Sequence, residues 1–203
     1  MPYTGPFTLL FYRYAALTLI LLLYLLIIHK FYWIGTRAFF HTSIVGILAH
    51  GTWLGCVLLA LEQQVPAGIV ALVVSLQPLV TGAFSGMTVG ERTSRVQWIG
   101  LFLGFAGVAI AVGARLTLNS DASLFGYIIP FGSVIAITIA SLLQRNVELK
   151  GHSKIPVAVT MFYQSLATTV IVFIPALFAE GLVVNPEQPF ILTMAWLIIA
   201  VSL

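Results

Sequence analysis

From Val65 to Val89 the chain holds no ionisable residue. A helix of about 25 residues rises far enough to cross the roughly 30 Å hydrocarbon layer of a bilayer. Gly90, Glu91, Arg92, Thr93, Ser94 and Arg95 interrupt the run, and Val96–Ala114 is again uncharged. Two spans joined by so short a turn must be antiparallel neighbours, with Glu91, Arg92 and Arg95 gathered at one membrane surface. The rest of the chain offers no route to a soluble globule. Of 203 residues 60% are hydrophobic and 7% charged, too little polar surface to cover a water-facing fold. The fold class expected is an all-α integral membrane protein, a multi-span helical bundle.

Further uncharged or nearly uncharged runs fall at Phe7–Ile28, Ala38–Leu61, Ala122–Gln144 and Ile155–Ala179, and a shorter one at Phe190–Leu203. That gives six full spans and part of a seventh. The first run has no basic stretch or small-residue cleavage site before it, so it is read as a span and not a signal peptide. The last, about 14 residues, is too short to cross, so the chain is expected to stop inside a helix. Lys and Arg divide unevenly between alternate loops: Lys30, Arg37, Arg92, Arg95, Arg145, Lys150 and Lys154 on one side, Arg115 alone on the other. Seven against one places loops 29–37, 90–95 and 145–154 in the cytoplasm. The net charge of +3 is scattered singly and forms no nucleic-acid patch. Membrane lipid is the expected surrounding, and oligomeric state is not legible.

Pro78 in mid-span, Gly90-Glu91 at the turn, and Gly100 and Gly107 in the next span resemble, as an ordered set, the close of an EamA-type repeat in the drug/metabolite transporter superfamily. The resemblance extends from about Phe7 to the end of the chain. It implies a ten-helix family fold with both ends cytoplasmic, of which about seven helices are present: helices two to seven and part of eight. Residues 1–115 would then be a first repeat lacking its first helix, and 122–203 a second repeat cut short at its C-terminus. Phe11-Tyr12-Arg13 is echoed by Phe162-Tyr163-Gln164, each about six to seven residues beyond Pro6 or Pro156. The charge rule sends these two helices in opposite directions, the mark of inverted-topology repeats.

Polar residues within the spans are the candidates for chemistry. Arg13, about six residues into its span, either snorkels to the headgroups or faces inward, to attract an anionic solute or pair with an acid. His50 is central in the second span. It is either a neutral histidine bonded to a neighbouring helix or a group that relays protons or binds solute. Trp53 and Tyr163 offer stacking surfaces, and Gln77 and Gln164 offer amides. These six are the expected solute-binding set. Pro78 leaves the carbonyl of Val74 without a helical partner, which makes either a kinked cavity-lining helix or a kink satisfied by neighbours, and Pro175 is a second kink. Gly51, Gly55, Gly82, Gly86, Gly100, Gly104 and Gly107 are read as close-packing positions between helices.

No glycine loop for phosphate, metal cluster, or nucleophile with a base in range is legible, and Cys56 alone makes neither an intramolecular disulfide nor a multi-cysteine metal site. No cofactor and no enzymatic activity are expected. The resemblance implies secondary transport of a small-molecule solute, a metabolite or drug-like compound, outward by alternating access. Two alternatives are a non-transporting membrane component, such as an enzyme subunit or sensor, and an inactive transporter fragment.

Overall fold

Hydrocarbon supplies no hydrogen-bond partner, so an uncharged run within it satisfies its backbone by becoming helical. The computed structural model describes residues 4–89, 94–117, 123–149, 155–184 and 188–198, and among these the secondary structure is helical apart from one isolated bridge, Thr4 to Val184. Six helices or helix pairs are long and apolar enough to cross a membrane: Pro6–Ile27, Thr36–Glu62, Ala67–Gly86, Arg95–Ala114, Leu124–Val147 and Val157–Glu180. They match the six expected spans. A shorter helix, Gln188–Trp196, lies in the last apolar run. The turn at Gly90–Thr93 and the basic residues Lys150 and Lys154 lie outside the described residues.

Two spans are not simple helices. The second comprises α2 (Thr36–Gly46), a wide π-turn (Ile47–Thr52) and α3 (Trp53–Glu62). The third breaks into α4 (Ala67–Val74) and α5 (Gln77–Val89). Pro78 therefore does not bend a continuous helix; it is the second residue of α5, where its missing N–H has no helical acceptor to lose. Ser75 and Leu76 bridge the break through bonds to the carbonyls of Ala71 and Val73. Loop boundaries also move. Arg37 lies within α2, Arg95 opens α6 (Arg95–Thr117), and Arg145 falls inside α7 (Leu124–Leu149).

The chain forms two compact units. The first combines residues 1–51 with 154–203. In it α1 (Pro6–Ile27) runs antiparallel to α8 (Val157–Glu180): Phe11 meets Phe173 with ring centroids 5.3 Å apart, and the Thr18 and Thr169 hydroxyls are 3.4 Å apart. At one end the Glu180 carboxylate accepts the backbone N–H groups of Phe7 (2.9 Å) and Thr8 (2.7 Å). These are orphan donors of a helix start, where the dipole also favours a negative charge. Gly5 leaves the room, since a Cβ there would fall on the Glu180 carboxylate. Gly181, at φ +66° just past α8, ends that helix with its N–H on the carbonyl of Leu177. The α2 segment crosses α8 so closely that a Cβ on Gly46 would sit 2.6 Å from Gln164 Cα.

The second unit, residues 52–153, is built around α7. Ala60, Val65, Ile69, Val70 and Tyr127 form one buried cluster, and Val73, Leu76, Val108 and Val134 another. Gly104 admits Leu76 and Leu79 of the broken span, and the rings of Phe105 and Phe131 stack at 6.2 Å. Pro130 lies inside α7 unannounced by the sequence reading, with the Ser133 hydroxyl donating to its carbonyl at 2.6 Å. The glycines are not equivalent. Gly82 and Gly100 have ordinary clearance of 3.7 and 3.8 Å, and an added Cβ at Gly107 would meet nothing within 4 Å among the described residues.

These contacts set different outcomes for glycine replacement. Gly46→Ala must push backbone from backbone and should destabilise the purified protein by about 1–3 kcal/mol. Gly107→Ala relieves helix entropy and should be neutral or stabilising by up to about 1 kcal/mol. Equal thermal midpoints for the two in detergent would contradict the close approach at Gly46. Glu180→Ala, which uncovers two helix-start donors, should cost about 1–2 kcal/mol in the same assay.

Candidate functional site

Within the first unit, α1, the π-turn and α8 bring polar side chains together in an otherwise apolar interior. Arg13 and Gln164 are only 7% and 8% exposed, so both side chains are enclosed by protein. Each stands eighth in its helix, counted from Pro6 and Val157, in two helices that run oppositely. The Arg13 guanidinium carbon lies 5.5 Å from the ring centroid of Tyr14, a cation–π distance. Tyr14 in turn packs its ring 5.4 Å from that of His50. His50 Nε2 is 3.4 Å from Gln164 Oε1. Arg13, Tyr14, His50 and Gln164 thus form a continuous polar and aromatic series across three segments.

The chemistry of the series follows from its geometry. At 3.4 Å the His50–Gln164 bond is at the long limit for an N–H···O contact and correspondingly weak. An imidazole and a carboxamide each hold both donor and acceptor capacity. A loosely bonded pair of this type can exchange its mutual bond for bonds to a polar solute at little cost, while Arg13 adds a fixed positive charge nearby. Wide π-turns recur at functional positions because the extra residue re-aims a side chain, and here His50 is inside one.

Other expected site residues are placed elsewhere. Tyr163 donates its hydroxyl to the carbonyl of Tyr32 at 2.9 Å and is ringed by Trp33, Phe39 and Phe162, so both its polar and apolar parts are engaged in packing. Trp53 opens α3 and Gln77 opens α5, both in the second unit. The Trp53 Nε1–H is buried without an acceptor among the described residues, as are the hydroxyls of Thr8 and Ser43. Pro175 lies within an unbroken α8. Gly51 stands in the π-turn, 3.6 Å from Thr168 and Val172 when a Cβ is added, and Gly55 is buried in α3. Gly86 lies in α5.

Tyr14 and Thr168 belong to this neighbourhood and were not singled out by sequence. A tyrosine in an apolar helix carries no distinguishing pattern. Thr168 is one of several threonines in its span, and only the approach of α2 marks it out. Its hydroxyl, fully buried, lies 3.0 Å from the carbonyl of Gly46 and 2.9 Å from that of Gln164.

Comparison with known proteins shows the family. A model of the EamA-like transporter family matches residues 1–113. The chain is 31% identical over 190 residues to the uncharacterized inner membrane transporter YedA of Escherichia coli K12, covering 91% of this chain and 58% of that protein. It is also 31% identical over 84 residues to the uncharacterized transporter YvbV of Bacillus subtilis 168, covering 41% of this chain and 27% of that protein. The chain therefore spans 58% of the length of the Escherichia coli relative. No solved structure matches it. A family model matched over more than half the residues, on a chain with six apolar spans, establishes that this multi-pass membrane protein belongs to the EamA-like transporter family.

Proposed function

We propose that the protein is a secondary transporter in the cell membrane that exports a small metabolite or drug-like solute by alternating access. The observation that carries this reading is the buried polar series Arg13–Tyr14–His50–Gln164, set at an interruption of a membrane span. Membrane interiors exclude such groups unless they contact protein, water or cargo, and interrupted helices are the usual carriers of solute sites in transporters. In this reading His50 and Gln164 bond the solute, Arg13 biases the site toward negative charge, and the ring of Tyr14 supplies an apolar wall. Trp53 and Gln77, at the starts of the half-helices α3 and α5, are further candidates for solute contact.

The same proposal includes the architecture. Residues 1–115 and 122–203 are read as inverted repeats, supported by the equal positions of Arg13 and Gln164 in antiparallel helices. The basic loops face the cytoplasm, supported by the seven-to-one distribution of Lys and Arg. YedA carries the name of an inner membrane transporter, which supports the cell membrane as the site of action.

Two measurements test the function and its orientation. In efflux-deficient bacteria challenged with a panel of toxic amino-acid and nucleoside analogues, the wild-type chain should lower intracellular accumulation of at least one compound. His50→Ala and Gln164→Ala should reduce that export about tenfold or more at equal membrane abundance, since each removes a polar contact worth roughly 1.4 kcal/mol or more. Export unchanged in both variants would remove the site from the mechanism; no export of any compound would remove the function. In a Cys56→Ser background, an impermeant maleimide applied to intact cells should label Glu187→Cys and spare Arg37→Cys, and the reverse pattern would invert the topology.

A further inference from the structure

The π-turn needs an explanation of its own. A carbonyl in such a turn pairs with the amide five residues on instead of four, so one residue is extra and the helix is locally widened. Uninterrupted α-helix is the default for an uncharged span, so something must hold the wider form in place. Side chains that insert into the hydrogen-bond ladder are a known cause.

Thr168 is positioned to do this. Threonines in helices commonly donate to the carbonyl four residues earlier, as Thr18 does to Tyr14 and Thr169 to Ser165. The Thr168 hydroxyl meets the carbonyl of Gln164 in the same way but is shared with the carbonyl of Gly46, the last residue before the wide turn. Its methyl Cγ2 lies 3.6 Å from where a Cβ on Gly51 would be, near the far end of that turn. One side chain therefore spans the turn, with its hydroxyl at the entry and its methyl toward the exit. Gly46 permits this, since any Cβ there would collide with the backbone of Gln164.

The consequence reaches the polar series. His50 lies within the turn and bonds the side chain of Gln164, while the backbone carbonyl of Gln164 shares the Thr168 hydroxyl with Gly46. The relative placement of the imidazole and the amide is thus tied to one buried hydroxyl. We propose that Thr168 is a positioning residue: it holds the π-turn open and so aims His50 at Gln164. This rests on the reading of His50 and Gln164 as solute-binding groups, but the bond between them is observable without transport.

The test uses the full chain in nanodiscs with ¹⁵N-labelled histidine, the His50 side-chain resonance being assigned by its loss in His50→Asn. Thr168→Val keeps the shape and removes the hydroxyl. It should move the His50 resonance to its position in Gln164→Ala, and amide exchange over Ile47–Thr52 should quicken about tenfold, as expected for one lost hydrogen bond. Thr168→Ser, which keeps the hydroxyl, should restore both signals. Thr168→Ala serves as a second hydroxyl-free variant should the valine protein fail to fold. An unchanged His50 resonance in a folded hydroxyl-free variant overturns the proposal, as does a serine variant that folds with the altered resonance. Export that is indifferent to His50→Ala would overturn the transport site while leaving the Thr168 result intact.

Discussion

A backbone within hydrocarbon must find all its hydrogen-bond partners in protein, and several irregularities among the described residues answer that demand. The wide turn at Ile47–Thr52 is met by the Thr168 hydroxyl on the Gly46 carbonyl. At the break between α4 and α5, Ser75 donates its hydroxyl back to Leu72 at 2.7 Å. At the start of α1, whose first amides have no helical acceptor, the carboxylate of Glu180 takes two of them. Hydroxyls and one carboxylate supply what water supplies in a soluble protein, and each sits within a turn or so of the irregularity or on the helix packed against it.

The same constraint explains why compact units do not follow chain order. A helix in lipid gains little hydrophobic energy from a neighbour, so association depends on how closely backbones approach and on shared polar groups. The start of α1 and the end of α8 share both a carboxylate cap and a short bridge at Thr4 and Val184, and α2 meets α8 at Gly46 with backbone nearly touching. These contacts join residues 1–51 to residues 154–203 across more than a hundred intervening positions. The outer faces need no such devices. Phe102, Leu103 and Ile110 on α6, exposed by 69%, 68% and 73%, are suited to acyl chains, where apolar exposure carries no penalty.

Much of this was legible in the sequence, and what was not has identifiable reasons. Absence of charge over long runs marks spans, and six runs became six spanning segments with ends shifted by a few residues. Pro78 announced an irregularity but not its form, since proline is compatible with a kink or with the first turn of a new helix; the break after Val74 is the second. Glycine spacing proved a poorer guide. Gly46, not among the glycines read as packing positions, comes within 2.6 Å of the backbone of α8 when a Cβ is added, while an added Cβ at Gly107 meets nothing within 4 Å among the described residues, because position along one helix says nothing about where a second helix crosses it. The π-turn was invisible for the same reason: its cause lies on α8, more than a hundred residues away.

The candidate site shows how far a residue's type can substitute for its surroundings. Arg13, His50 and Gln164 were recognisable because a polar group in an uncharged span is conspicuous, and the fold places them in one unit, Arg13 and His50 against the ring of Tyr14 and Gln164 bonded to His50. Tyr163 was equally conspicuous, yet its hydroxyl is held by the carbonyl of Tyr32 and its ring by three aromatics. The difference lies in bonding capacity. A phenol bonded through its one hydrogen, 2.9 Å from a carbonyl, has no donor left to offer, whereas an imidazole and an amide joined by one bond at 3.4 Å keep donors and acceptors unspent among the described residues. In a membrane interior those unspent groups are tolerable where another polar partner takes them up, and a polar solute is the partner a transporter site would bring.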